Sequence, residues 1–209
     1  MKNSILSILA AIILLGCNQN HGTLKTAESG NELVETYREP IENRIAKFIS
    51  DGYLLLDSAS GDLNLDEYSD IILILKKVDE EITSDIIDNP EKRPLLVLIG
   101  QENGDYKLAA KSYSTVYCYD CGGMMGDPYQ GVTIKDGYFS IEHYGGSAWR
   151  WTRIITYRFS QDCDYWFLHR DGGESFHVSE PDGGKDFMRT KEDFGKVKFE
   201  DFDIFKEID

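Results

Sequence analysis

Positive charge is what this chain has least of. It carries 22 Lys and Arg against 37 Asp and Glu, a formal net charge of −15. A body of that sign is repelled by phosphate backbones and anionic headgroups, which argues against nucleic acid as a partner, while divalent cations are attracted. Signatures of chemistry are also missing. There is no Ser-His-Asp signature, no HExxH, no phosphate-binding glycine loop and no nucleotide fingerprint, so no enzyme class is indicated. Long apolar runs are scarce as well: past residue 16 no segment has the length and hydrophobicity to cross a bilayer. With only four cysteines in 209 residues, the fold must rest on a hydrophobic core rather than on a disulfide framework.

The single apolar run present is Ile5 to Leu15, broken only by Ser7 and preceded by Lys2. It is too short to span comfortably and ends in small residues, as a cleavable export signal does. "LLGC", Leu14 to Cys17, resembles the lipobox of bacterial lipoproteins. That resemblance implies removal of residues 1–16, acylation of Cys17 and attachment to a membrane through the lipid. Residues 17–30 then read as lipidated cysteine and flexible tether, and 31–209 as one β-rich domain. The expected location is the bacterial cell envelope, at the outer membrane.

Helical spacing comes first in that domain. Leu33, Tyr37, Ile41, Ile45 and Phe48 recur every three or four residues, Asn31 is an N-cap candidate, and Pro40 predicts a kink or a break. After Gly52 the runs become strand-like: 53–59, 70–78, 94–100 and 106–114, with Asn103-Gly104 as a hairpin turn. "IILIL" and "LLVLI" are apolar at odd and even positions alike, which predicts cover on both faces, by the helix on one and a second sheet on the other. That sheet is read from 131–136, 137–144, 149–159 and 165–170 joined to 174–178. In 149–159, Trp149, Trp151, Arg153, Ile155, Tyr157 and Phe159 share one face. The fold class expected is mainly β: two antiparallel four-stranded meanders, a sandwich or a pair of propeller-like blades, with an N-terminal helical segment. "RDGGES" and "PDGGKD" read as turns.

Two short stretches stand out. In "GDLNLDEYSD", residues 61–70, Asp62, Asn64 and Asp66 alternate, the carbonyl of Tyr68 comes seventh and Asp70 ninth. This resembles the D-x-D/N-x-D-G-x-x-D loop of FG-GAP or VCBS-type repeats in integrin-like propellers, and the region 53–178 resembles Bacteroidetes-type lipoproteins carrying one such "GDLN" motif. The resemblance implies calcium as a ligand of Asp62, Asn64, Asp66, Tyr68 and Asp70. Glu67 stands where the motif prefers glycine, so the stretch reads either as a weak calcium loop or as a polar turn closed by Asx hydrogen bonds.

"CYDCGGMMGDP", residues 118–128, places Cys118 and Cys121 in C-x-x-C. Three readings are open: a disulfide tightening a loop, a soft-metal site drawing on Cys163 and His143 or on Met124 and Met125, and a redox pair. Trp149, Trp151, Trp166, Tyr138 and Tyr144 are either core or stacking platforms for sugar rings, with "HYGGSAWRW" as the seat. Glu142 and His143, adjacent on a strand, point to opposite faces and cannot act as a pair. The functional expectation is a non-enzymatic, lipid-anchored envelope protein that binds or scaffolds an extracellular or envelope ligand. The alternative is a periplasmic metal- or thiol-handling protein built on Cys118 and Cys121.

Overall fold

Two successive antiparallel meanders make up the body in the computed structural model, which describes residues 40–206. The export segment, Cys17, the tether, Leu33 and Tyr37 lie outside the described residues. The first sheet runs β1 (Tyr53–Gly61), β2 (Asp70–Lys77), β3 (Leu95–Gly100) and β4 (Tyr106–Ser112) in chain order. The second runs β5 (Tyr129–Lys135), β6 (Tyr138–Gly146), β7 (Trp149–Ser160), β8 (Tyr165–His177) and β9 (Glu180–Thr190). Three short helices accompany them, α1 (Ile41–Ala46), α2 (Glu80–Thr83) and α3 (Lys191–Phe194). Neither sheet closes into a barrel.

The unbroken apolar strands are covered on both faces, as their lack of alternation predicts. Ile72, Ile74, Leu95 and Val97 enter a core shared with Phe139, Ile141, Ile155 and Tyr157 of the second sheet. Ile71, Leu73, Leu75, Leu96 and Leu98 face the other way and pack with Ile45, Phe48 and Ile49 of α1 and its exit. Pro40 precedes α1 directly, where a missing amide donor costs nothing. Phe199, Phe202 and Ile204 from the C-terminal segment complete the shared core.

The second meander has five strands rather than four, and the two glycine-rich segments are strand, not turn. Gly172 and Gly173 lie within β8, and Gly183 and Gly184 within β9. For the glycines of β8 the physical reason is close approach. A Cβ on Gly173 would fall 2.0 Å from the carbonyl oxygen of Thr152, so glycine is what lets β7 and β8 pair there. β8 therefore continues through residues 170–175 without interruption.

A buried cation ties the meanders together. Arg93, fully buried, donates from Nε and Nη2 to Glu80 at 3.1 and 2.6 Å, and from Nη1 and Nη2 to Asp127 at 2.7 Å each. Its remaining Nη1 hydrogen reaches the carbonyl of Tyr117 at 3.4 Å, so all five donors are used. Burial works against the charge, but the carboxylates of Asp127 and Glu80 outweigh it and hold the guanidinium above its ordinary value. Glu80 belongs to the excursion after β2, and Asp127 to the segment leading into β5. Removing the cation would strand Glu80, itself 1 % exposed, as an unpaired buried charge. Arg93→Ala should therefore cost about 3–5 kcal/mol in denaturant unfolding, and Arg93→Lys should recover only part of it because an ammonium cannot reproduce the fork. A loss under about 1 kcal/mol for Arg93→Ala would contradict this role.

Candidate functional site

The stretch 61–70 closes on itself. The Asp62 carboxylate accepts the Leu65 amide at 2.7 Å, Asn64 Oδ1 accepts the Asp66 amide at 3.2 Å, and Asp66 Oδ1 accepts the Tyr68 amide at 2.7 Å. Asn64 Nδ2 donates to the other Asp66 oxygen at 2.7 Å. Asp70 is fully buried and accepts the amides of Leu63 at 2.8 Å and Gly100 at 2.9 Å. Burial raises its pKa, those two hydrogen bonds hold it down, and Asp66 and Asp62 add to the rise. The left-handed residue is Leu65, φ 64°, not Glu67, so the glycine position of the calcium motif has no counterpart here. Among the described residues the one group of three acidic, thiol or imidazole side chains with ligand atoms within 4.8 Å is Cys118, Asp120 and Cys121. Asp62, Asn64, Asp66 and Asp70 each accept at least one backbone amide, the pattern of a polar turn closed by side-chain hydrogen bonds.

What the loop does is join the sheets. Leu63 is fully buried in the shared core, and its carbonyl accepts the indole N–H of Trp166 at 3.0 Å. The Asp62 carbonyl accepts the Gly137 amide at 2.9 Å. Trp166 is therefore a core residue and no sugar platform.

Cys118 and Cys121 are joined as a disulfide, and Cys118 is fully buried. Asp120 between them accepts from Ser84 Oγ at 2.6 Å and from the Ile86 amide at 2.7 Å, so the loop is pinned to the excursion after β2. Cys163 stands elsewhere, exposed, with its sulfur 3.0 Å from Lys196 Nζ, and does not join a Cys₃His set. His143 is buried between Tyr117 and Tyr129. Burial, with Arg153 and Arg93 adding to it, pushes the imidazole down to about 3, so it stays neutral near pH 7. Its Nε2 accepts the Tyr117 amide at 3.4 Å. Glu142 is exposed on the opposite face. His177 meets Ser179, and Asp171 meets Arg153.

Tyr117, fixed on one side by the disulfide and on the other by Arg93, opens onto a cleft of about 380 Å³. Along β7 the core-facing side chains pass from fully buried Tyr157 and Ile155 to part-buried Arg153 and Trp151, and the cleft lies over the latter pair. Phe187 and Arg189 of β9 form one wall, and Ile204, Phe205 and Lys206 the other. The Trp151 indole packs against Gly145, where a Cβ would be 2.5 Å from the ring. Its ring meets Tyr117 edge-on at 5.6 Å, and Phe205 meets Tyr117 likewise at 5.6 Å. Arg153 is held by two 2.9 Å bonds to fully buried Asp171, by the Tyr117 hydroxyl at 2.7 Å and by the Ile204 carbonyl at 3.0 Å. Burial opposes its charge, and Asp171 more than restores it, so the guanidinium sits above its ordinary value.

The chain matches no family model, no curated protein and no solved structure.

Of the aromatic residues singled out in sequence, Trp151 lines the cleft, Trp149 is exposed beside His177, and Tyr138 contacts His169. Tyr117, Phe187, Arg189 and Phe205 escaped sequence reasoning. The alternation Phe187, Arg189 is a strand signal, hidden by the two glycines just before it.

Two outcomes follow. Because no left-handed residue sits at position 67, Glu67→Gly should lower stability by about 0.5–1 kcal/mol through unfolded-chain entropy, and millimolar calcium should leave the melting temperature of the natural chain unmoved. A calcium-dependent rise, larger in the glycine variant, would reject the polar-turn assignment. The Lys196 ammonium and the Ser160 hydrogen bond hold the Cys163 thiol below its ordinary value. Its alkylation by iodoacetamide should reach its plateau at lower pH than free cysteine does, and Lys196→Met should move that plateau upward. An unchanged profile would deny the pairing.

Proposed function

We propose that the chain is a lipid-anchored protein of the bacterial cell envelope whose β body binds a ligand in the cleft over Trp151 and Arg153. The anchor reading is supported by "LLGC" at the end of the only long apolar run. A disulfide beside the cleft suits an oxidising compartment, and a net charge of −15 keeps the body off anionic headgroups.

The observation that carries the binding reading is the lining of the cleft. Four aromatic side chains and three cations meet there, with no carboxylate, imidazole or thiol among the lining residues. A concave apolar site with a few fixed polar groups is what small-ligand binding requires. The Tyr117 hydroxyl in this lining is engaged by Arg153 and the Lys206 ammonium is solvent-exposed beside Asp203, which supports a binding role over a hydrolytic one.

Replacing Cys17 with Ala should leave an uncleaved precursor or release the protein from membrane fractions. A mature, membrane-bound Cys17→Ala form would overturn the anchor. For binding, a soluble digest of cell-envelope material should raise the melting temperature of the full-length chain. Phe187→Ala and Trp151→Ala variants that remain folded by circular dichroism should lose that rise. A digest that stabilises natural and variant chains equally would remove the cleft from the argument.

A further inference from the structure

The charges in the cleft are unevenly committed, and the imbalance specifies a ligand. In a chain with 37 acidic residues, the cleft is lined by Arg153, Arg189 and Lys206 and by no Asp or Glu. Asp171, behind Arg153, cancels one of those charges through its paired 2.9 Å bonds. Asp203 lies 3.3 Å from Lys206, whose side chain is 80 % exposed, a solvated contact that leaves the ammonium mobile. Arg189 has no carboxylate partner among the described residues, and its guanidinium sits 5.9 Å from the ring centre of Phe187. The cleft therefore carries net positive charge on an otherwise negative body, which draws an anion toward it.

The hydrogen-bond inventory of Arg153 points the same way. Four of its five N–H groups are used: Nε and one Nη2 hydrogen on Asp171, both Nη1 hydrogens on the Tyr117 hydroxyl and the Ile204 carbonyl. The second Nη2 hydrogen has no acceptor among the described residues. A guanidinium locked by four bonds, with one donor left over at a cleft wall, is a preorganised contact for an incoming oxygen. Around it the lining is aromatic: Trp151, Tyr117, Phe187 and Phe205. Flat apolar walls favour a flat or ring-shaped body in the ligand, and the cations favour a carboxylate on it. A volume of about 380 Å³ holds a small molecule or a short terminal segment of a polymer, not a folded partner.

We propose that the cleft binds a ring-bearing carboxylate, its ring against Trp151 and Phe187 and its carboxylate between Arg189 and the uncommitted Nη2 hydrogen of Arg153. This rests on the reading of the cleft as a binding site. Two sources share that chemistry: an acidic sugar, whose pyranose C–H face stacks on indole, and an aromatic acid, whose ring stacks directly.

The test is isothermal titration of the full-length chain with four probes in two matched pairs, trigalacturonate with maltotriose and benzoate with benzamide. The acid of at least one pair should bind about tenfold more tightly than its uncharged partner, the worth of one charge-assisted hydrogen bond. Rising salt should erode that preference. Arg189→Gln, which changes a rim residue and leaves the Arg153–Asp171 pair in place, should remove most of it. The pair that responds names the source. Equal affinity for acid and uncharged probe, with binding lost in Phe187→Ala, would overturn the carboxylate assignment and leave the binding-cleft reading intact. Binding of none of the four would also overturn it, while the digest experiment would still decide the broader reading. A preference for the acid that survives in Arg189→Gln would show that the charge is recognised elsewhere.

Discussion

A guanidinium removed from water is the constraint on which the rest of this structure depends. Arg93 stands just ahead of β3, in the first meander, yet its ligands come from both meanders. Satisfying it requires the excursion after β2 to fold back and Asp127 to stay in place at the entry to β5. Tyr117, whose carbonyl takes the last of the five donors, is thereby set beside the cleft it lines. The disulfide and the Asp120 bonds to Ser84 and Ile86 secure the same junction from the other side. One buried charge thus links sheet packing to the geometry of the candidate site.

How much of this could be read from residues alone depended on whether a signal was local. The doubly covered strands were legible because "IILIL" and "LLVLI" leave no polar face for water. Pro40 was legible as an interruption of the helical pattern, with α1 beginning directly after it, and the β3–β4 hairpin was legible in Asn103-Gly104. β9 was not. Glycine pairs ordinarily punctuate chains; close approach of β7 explains the strand at Gly173 in β8, whereas nothing so close crowds Gly183 and Gly184 in β9. The alternating Asp and Asn residues of 62–70 left two readings open for a related reason. The same oxygens can face an ion or the next amide, and the outcome turns on which residue takes the left-handed turn. That residue is Leu65, whose side chain packs over the backbone of Gly137, a contact far away in sequence.

The cleft was the least legible part, since it draws on four distant segments: Tyr117 before β5, Trp151 to Arg153 in β7, Phe187 and Arg189 in β9, and the C-terminal stretch from Ile204. None of these carries a motif. What unites them is that the inner face of the second sheet continues beyond the fully buried part of the core, leaving aromatic and cationic side chains that would otherwise be core at the border of water. Functional surface here is unfinished interior.

Among the described residues the five-stranded sheet ends in a free edge. β9 is an outermost strand eleven residues long, exposed over most of its length. Such an edge offers unpaired amides and carbonyls to any second strand, an invitation to polymerise. The sequence along it reads as a set of deterrents. Pro181 removes a donor, Asp182, Lys185 and Asp186 place charges where another strand would dock, and the ladder to β8 is irregular between Ser175 and His177. Those few side chains keep separate copies of the chain from growing into a shared sheet.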